Sequence, residues 1–151
     1  MSRFFRQFAI LTTSMALFFC AAGADVLAGT SYGPRLTLRS GAPVIGQSID
    51  MEFSGPNPFN GCTVRLYVGD PTVGTTTVTV NGQSVVLPIA NASQFDTGTF
   101  SNGRYRSAYT LPIDKTLIGT QKYFIAVIEV GTSIKTSLVM PSGPILGDDI
   151  A

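Results

Sequence analysis

From Arg35 onward, apolar residues recur at every second position between short breaks of Gly, Pro, Asn and Asp, the period of a pleated strand with one buried face. Residues 34–39 place Leu36 and Leu38 on one face; 48–54 place Ile49, Met51 and Phe53 inward, with Asp50 and Glu52 opposite. Residues 62–68 bury Val64, Leu66 and Val68 and turn Thr63, Arg65 and Tyr67 outward. Residues 75–80 and 83–89 flank Asn81-Gly82, a dipeptide that accepts positive φ at both centres of a type I′ turn, and so predict a hairpin. In 104–111, Tyr105, Ser107, Tyr109 and Leu111 share one face and Arg104 and Arg106 the other. Residues 123–130 are almost continuously apolar, as in a central strand covered on both faces, and 134–140 closes the series before Pro141. The polar stretch 90–102 is expected to be a long surface connection. Seven to eight short strands with no intervening helix predict an all-β, antiparallel two-sheet sandwich.

The first two dozen residues follow another pattern. Arg3 and Arg6 precede an apolar run from Phe8 to Ala22, and Ala22-Gly23-Ala24 supplies the small residues of a cleavage site. Thr12, Thr13 and Ser14 interrupt the run, which falls short of the ~20 apolar residues of a comfortable membrane span. The expected organisation is a signal peptide at 1–24, a linker at 25–33, a sandwich at 34–140 and a C-terminal tail at 141–151. This predicts a secreted, periplasmic or cell-surface protein with no stable membrane span after cleavage.

Composition narrows the chemistry. The 151 residues contain no His, no Trp and two Cys, which excludes Ser-His-Asp and Cys-His nucleophile pairs, imidazole metal sites and thiolate-only zinc cages. Ten basic against nine acidic residues is no footprint for nucleic acid, and losing Arg3 and Arg6 with the leader leaves a slight acidic excess. Once the leader is removed, Cys62 is the one remaining thiol, expected to be a small buried hydrophobe, with an intermolecular bridge as the alternative.

The run Leu117-Ile118-Gly119-Thr120-Gln121-Lys122-Tyr123 resembles the loop into the sixth strand of immunoglobulin-like and fibronectin type III-like sandwiches. The wider layout resembles secreted bacterial sandwich domains of that kind. It rests on Gly41-Ala42-Pro43 with Gly46, Ser54-Gly55-Pro56, Leu111-Pro112-Ile113 and Lys135-Thr136-Ser137-Leu138, and covers roughly residues 34–140. The resemblance implies an immunoglobulin-like strand arrangement with Tyr123 as a structural tyrosine corner. It brings no catalytic residues. The central Trp and paired cysteines of antibody-type domains are absent.

Candidate sites are correspondingly few. Asp50 and Glu52, about 7 Å apart along one strand face, have the separation of a glycosidase carboxylate pair, but such pairs are commonplace on solvated strand faces. The acidic residues are too scattered for calcium, so no metal and no cofactor is expected. Arg65, Tyr67, Asn102, Arg104 and Arg106 form the candidate ligand-binding set, because an aromatic ring and planar guanidinium groups suit a sugar or an acidic polymer. A single patch requires that Arg65 and Arg104 share a sheet. The loops 56–61, 70–74 and 90–103 are the other recognition candidates. The reading is a non-enzymatic module that meets a protein or glycan at the cell envelope, with carbohydrate binding or an extracellular assembly as alternatives.

Overall fold

In the computed structural model, residues 35–55, 59–70 and 74–148 are described. The expected leader, the linker, and residues 56–58 and 71–73 of the first two candidate loops lie outside them. The described residues form ten strands: β1 (Arg35–Leu38), β2 (Ser48–Ser54), β3 (Thr63–Asp70), β4 (Thr76–Val80), β5 (Gln83–Leu87), β6 (Ala90–Thr99), β7 (Arg104–Thr110), β8 (Tyr123–Val130), β9 (Ser133–Thr136) and β10 (Met140–Pro141). All strand pairings are antiparallel. One sheet has the order β1-β2-β7; the other has β10-β8-β3-β6, with β9 also on β8.

Between the sheets lies the core that the alternation predicts. Ile49, Met51 and Phe53 of β2 face Val64, Leu66 and Val68 of β3 and Phe124, Ala126, Ile128 and Val130 of β8, all in one buried cluster. Phe95, Tyr109 and Phe124 add an edge-to-face trio with centroids 5.1, 5.8 and 5.6 Å apart.

The hairpin β4–β5 adds a third layer that the sequence reading did not include. It lies against the outer face of the larger sheet, where Val80, Leu87 and Ile89 pack on Tyr67, Ile125 and Val127. The unbroken apolar run of β8 follows from this: even-numbered residues fill the main core and Ile125 and Val127 fill the second cluster. The Thr76 hydroxyl donates to Ile89 O (2.7 Å) and accepts from Ala92 N (3.0 Å), and Gln83 Nε2 donates to Thr132 O (2.7 Å).

Three further departures have local causes. Residues 90–99 are a strand, not a loop: β6 pairs with β3 alone and leaves much of both faces exposed, so its side chains show no apolar alternation. The expected strand 134–140 is split into β9 and β10 at Ser137, whose Oγ accepts from Ala126 N (2.8 Å). The described part of the expected C-terminal tail, residues 141–148, is docked. Ile145 is 1% exposed in the main core, and backbone bonds join Ile145 to Gly119 and Thr120 and Leu146 to Pro43 and Ile45.

Cys62 is buried at 2% exposure, as expected of a small hydrophobe, but it is not a free thiol in the full-length chain. The other cysteine, Cys20, lies outside the described residues. Leu117 packs against the core and Gly119 turns the chain at φ +85°, as the resemblance implied. Tyr123 instead packs on the hairpin side, and among the described residues its hydroxyl makes no hydrogen bond, so the expected corner is not formed there.

Candidate functional site

The five candidate ligand residues divide between the two sheets. Arg65 and Tyr67 lie on β3 of the larger sheet, and Arg104 and Arg106 on β7 of the smaller one, with Asn102 in the turn before β7. No single patch unites them. Tyr67 is only 4% exposed because the hairpin covers it, so its ring offers no stacking face; burial is the main reason that its hydroxyl pKa is raised. Arg65 Nη1 sits 2.6 Å from Glu129 Oε1, an ion contact that lacks hydrogen-bond alignment. Both side chains are thus taken up in holding the larger sheet together.

Asn102, Arg104 and Arg106 belong together. Asn102 and Gly103, with φ of 54° and 80°, form the turn between a Ser101–Arg104 bridge. This is the same Asn-Gly signal that marked the 81–82 hairpin, and it could have shown that 90–102 runs as a strand into a tight turn. Beyond that bridge the two strands part, β6 into the larger sheet and β7 into the smaller one.

The outer face of the smaller sheet carries more arginine than the sequence reading assigned to it. Arg35, Ser54 and Arg104 stand in one row across β1, β2 and β7, and Thr37, Glu52 and Arg106 in the next. Arg39 follows at the end of β1. Glu52 Oε2 receives both Arg106 Nε (3.0 Å) and Arg39 Nη1 (3.4 Å). Among the described residues, the Arg35 and Arg104 guanidinium groups meet no carboxylate. Their two strands stand roughly 9.5 Å apart. Arg35 and Arg39 were missed because they flank a short first strand whose outward face is legible only once its partners are known. Glu52, engaged by two arginines, serves this face as their anchor, while Asp50 is exposed beside it. Shallow grooves flank Arg106, one lined by Arg39, Asp50 and Ala108, the other by Thr99, Asn102 and Arg104.

Behind this face, a bulge positions a polar junction between the sheets. The β3–β6 register passes from Leu66↔Asp96 to Tyr67↔Gln94, leaving Phe95 as the extra residue. Phe95 packs into the core and Asp96 turns to the other sheet, where its Oδ2 accepts from Tyr105 Oη (2.9 Å) and from Ser107 Oγ. Burial first, and then the hydrogen bond to Asp96, push the Tyr105 pKa up to about 12. Gly98 is required here, since a Cβ on it would stand 2.3 Å from the Tyr105 ring. At the far end of β3, Lys122 Nζ (3.0 Å) and Asn91 Nδ2 (3.2 Å) hold the Asp70 carboxylate, and chiefly the Lys122 bond lowers its pKa.

Fold and site define a class: an all-β antiparallel sandwich with an arginine-bearing sheet face, and with no group of three or more His, Cys, Asp or Glu placed to hold a metal among the described residues. No protein-family model and no curated protein matches the chain. Among solved structures the chain is similar to the crystal structure of Spo0M, a sporulation control protein from Bacillus subtilis, at 10% identity and a TM-score of 0.38. That match covers 79% of this chain and 50% of the other, so the chain spans about half the length of that protein. A likeness at this TM-score carries no argument about function.

Proposed function

We propose that this protein is an exported, non-enzymatic interaction module that binds an anionic partner at the cell envelope through the outer face of β1, β2 and β7. The observation that carries the reading is the arrangement of four arginines against two carboxylates on one sheet face, with Arg35 and Arg104 left unpaired among the described residues. Planar guanidinium groups pair bidentately with carboxylate, sulfate or phosphate, and their summed field draws such a partner in. Export rests on the three-part leader pattern at 1–24. The order β1-β2-β7 against β6-β3-β8 supports the immunoglobulin-like arrangement that the sequence resembles.

The test is salt elution from a sulfated polysaccharide resin. Wild type should elute at higher salt than Arg35→Ala/Arg104→Ala, with circular dichroism showing that both are folded. Elution of the two proteins at the same salt would refute the reading.

A further inference from the structure

We infer that the free edge of β7 accepts a β-strand from a partner protein, a strand that carries acidic residues at alternate positions. This rests on the reading of the arginine face and specifies how the partner is held.

The backbone supplies the first half of the argument. β7 ends the three-stranded sheet and pairs with β2 alone. Arg104 N and O both bond to Ser101, on the side away from β2, whereas Leu111 N bonds to Gln47 O next to β2. The two-residue period then sends the N–H and C=O of Arg106, Ala108 and Thr110 away from β2. Among the described residues, nothing bonds to these three pairs of groups. An edge of this kind is a template for another strand unless it is short, bulged or covered. The other edges of the two main sheets are blunted: β1 has four residues, β9 four and β10 two, while β6 has two register shifts and a positive φ at Asn91. β7 keeps an uninterrupted register with β2 over seven pairs and contains no proline.

The side chains supply the second half. The residues whose backbone faces the edge also turn their side chains to the solvated face, and Arg104, Arg106, Ala108 and Thr110 are all exposed. Arg104 and Arg106 stand two residues apart, about 7 Å. Ser101 fills the ladder position opposite Arg104, so an incoming strand pairs across from Arg106, Ala108 and Thr110. An acidic residue across from Arg106 meets its guanidinium and lies diagonal to Arg104, and one two residues on, across from Ala108, lies diagonal to Arg106, within reach of these long side chains. The groove lined by Thr99, Asn102, Arg104 and Arg106 shows open space beside this edge. Charge decides the occupant. A second copy pairing through its own β7 would bring two further arginines onto the face, like charge against like. The chain's own residues 25–34 contain one carboxylate, Asp25, and no acidic alternation.

The experiment uses the purified protein and two labelled peptides of identical composition, one with glutamate at every second residue among Thr and Val, the other with its glutamates in one block. The alternating peptide is expected to bind about ten-fold more tightly by anisotropy. It should also slow amide hydrogen exchange at Arg106, Ala108 and Thr110. N-methylation of its edge-facing amides should abolish both effects without any change to the protein. Equal binding of the two peptides with unchanged exchange at those amides would overturn the inference. Under that result, salt-sensitive retention on the sulfated polysaccharide would leave the anionic-face reading standing, and lack of retention would remove that as well.

Discussion

Leu87→Ala tests whether the β4–β5 hairpin is a packed layer of the protein. Leu87 is fully buried against Val80, Tyr67, Ile125 and Val127, so truncation removes three carbons from a closed apolar cluster. Transfer alone costs about 2.4 kcal/mol at ~0.8 per carbon, and the cavity raises the total to about 2–5 kcal/mol. That is a large share of the ~5–15 kcal/mol typical of a domain. Val86, its neighbour on β5, is 61% exposed, and Val86→Ala should stay within about 0.5 kcal/mol. Urea unfolding followed by far-ultraviolet dichroism and tyrosine emission reads the difference. With a slope of ~1–3 kcal/mol per M, the Leu87→Ala midpoint should fall by about 1–2 M while that of Val86→Ala barely moves. Equal midpoints for the two variants would mean that the hairpin does not pack on β3 and β8.

Two other outcomes follow from the same reasoning. Ile145→Ala should cost about 2–5 kcal/mol in urea or thermal unfolding, because Ile145 is 1% exposed in the main core; a loss below about 0.5 kcal/mol would show that the C-terminal segment is not docked. The Tyr105 pKa rises from 10.0 in the free side chain to about 12 in the fold, so its contribution to stability is complete below pH 10 and is lost as pH rises toward 12. Alkaline denaturation should therefore be steeper over that window in wild type than in Tyr105→Phe, and matching slopes would contradict the Tyr105–Asp96 bond.

Strands with well-covered faces were readable, because alternation reports one buried face and an unbroken apolar run reports two. Residues 48–54 and 123–130 were predicted to the residue, and β2 buries Ile49, Met51 and Phe53 as its pattern requires. β6 was not readable, since an edge strand with two largely wet faces has no apolar period and the bulge at Phe95 interrupts what alternation remains. Three of the five candidate ligand residues, Asn102, Arg104 and Arg106, sit at one end of β7. The outward direction of Tyr67 was also read correctly. Outward meant solvent only until the hairpin folded over it, and nothing local to residues 62–68 encodes that cover.

Taken alone, the sequence determined the all-β class, the buried face of each well-patterned strand and the absence of histidine chemistry, because periodicity and composition are local properties of the chain. Tertiary structure decided which outward faces stay wet. It sent Arg65 and Tyr67 to one sheet and gathered Arg35, Arg39, Arg104 and Arg106 on the other. Strand order is set by how distant segments share cores, and a period of two residues says which way a side chain points without saying what stands in front of it.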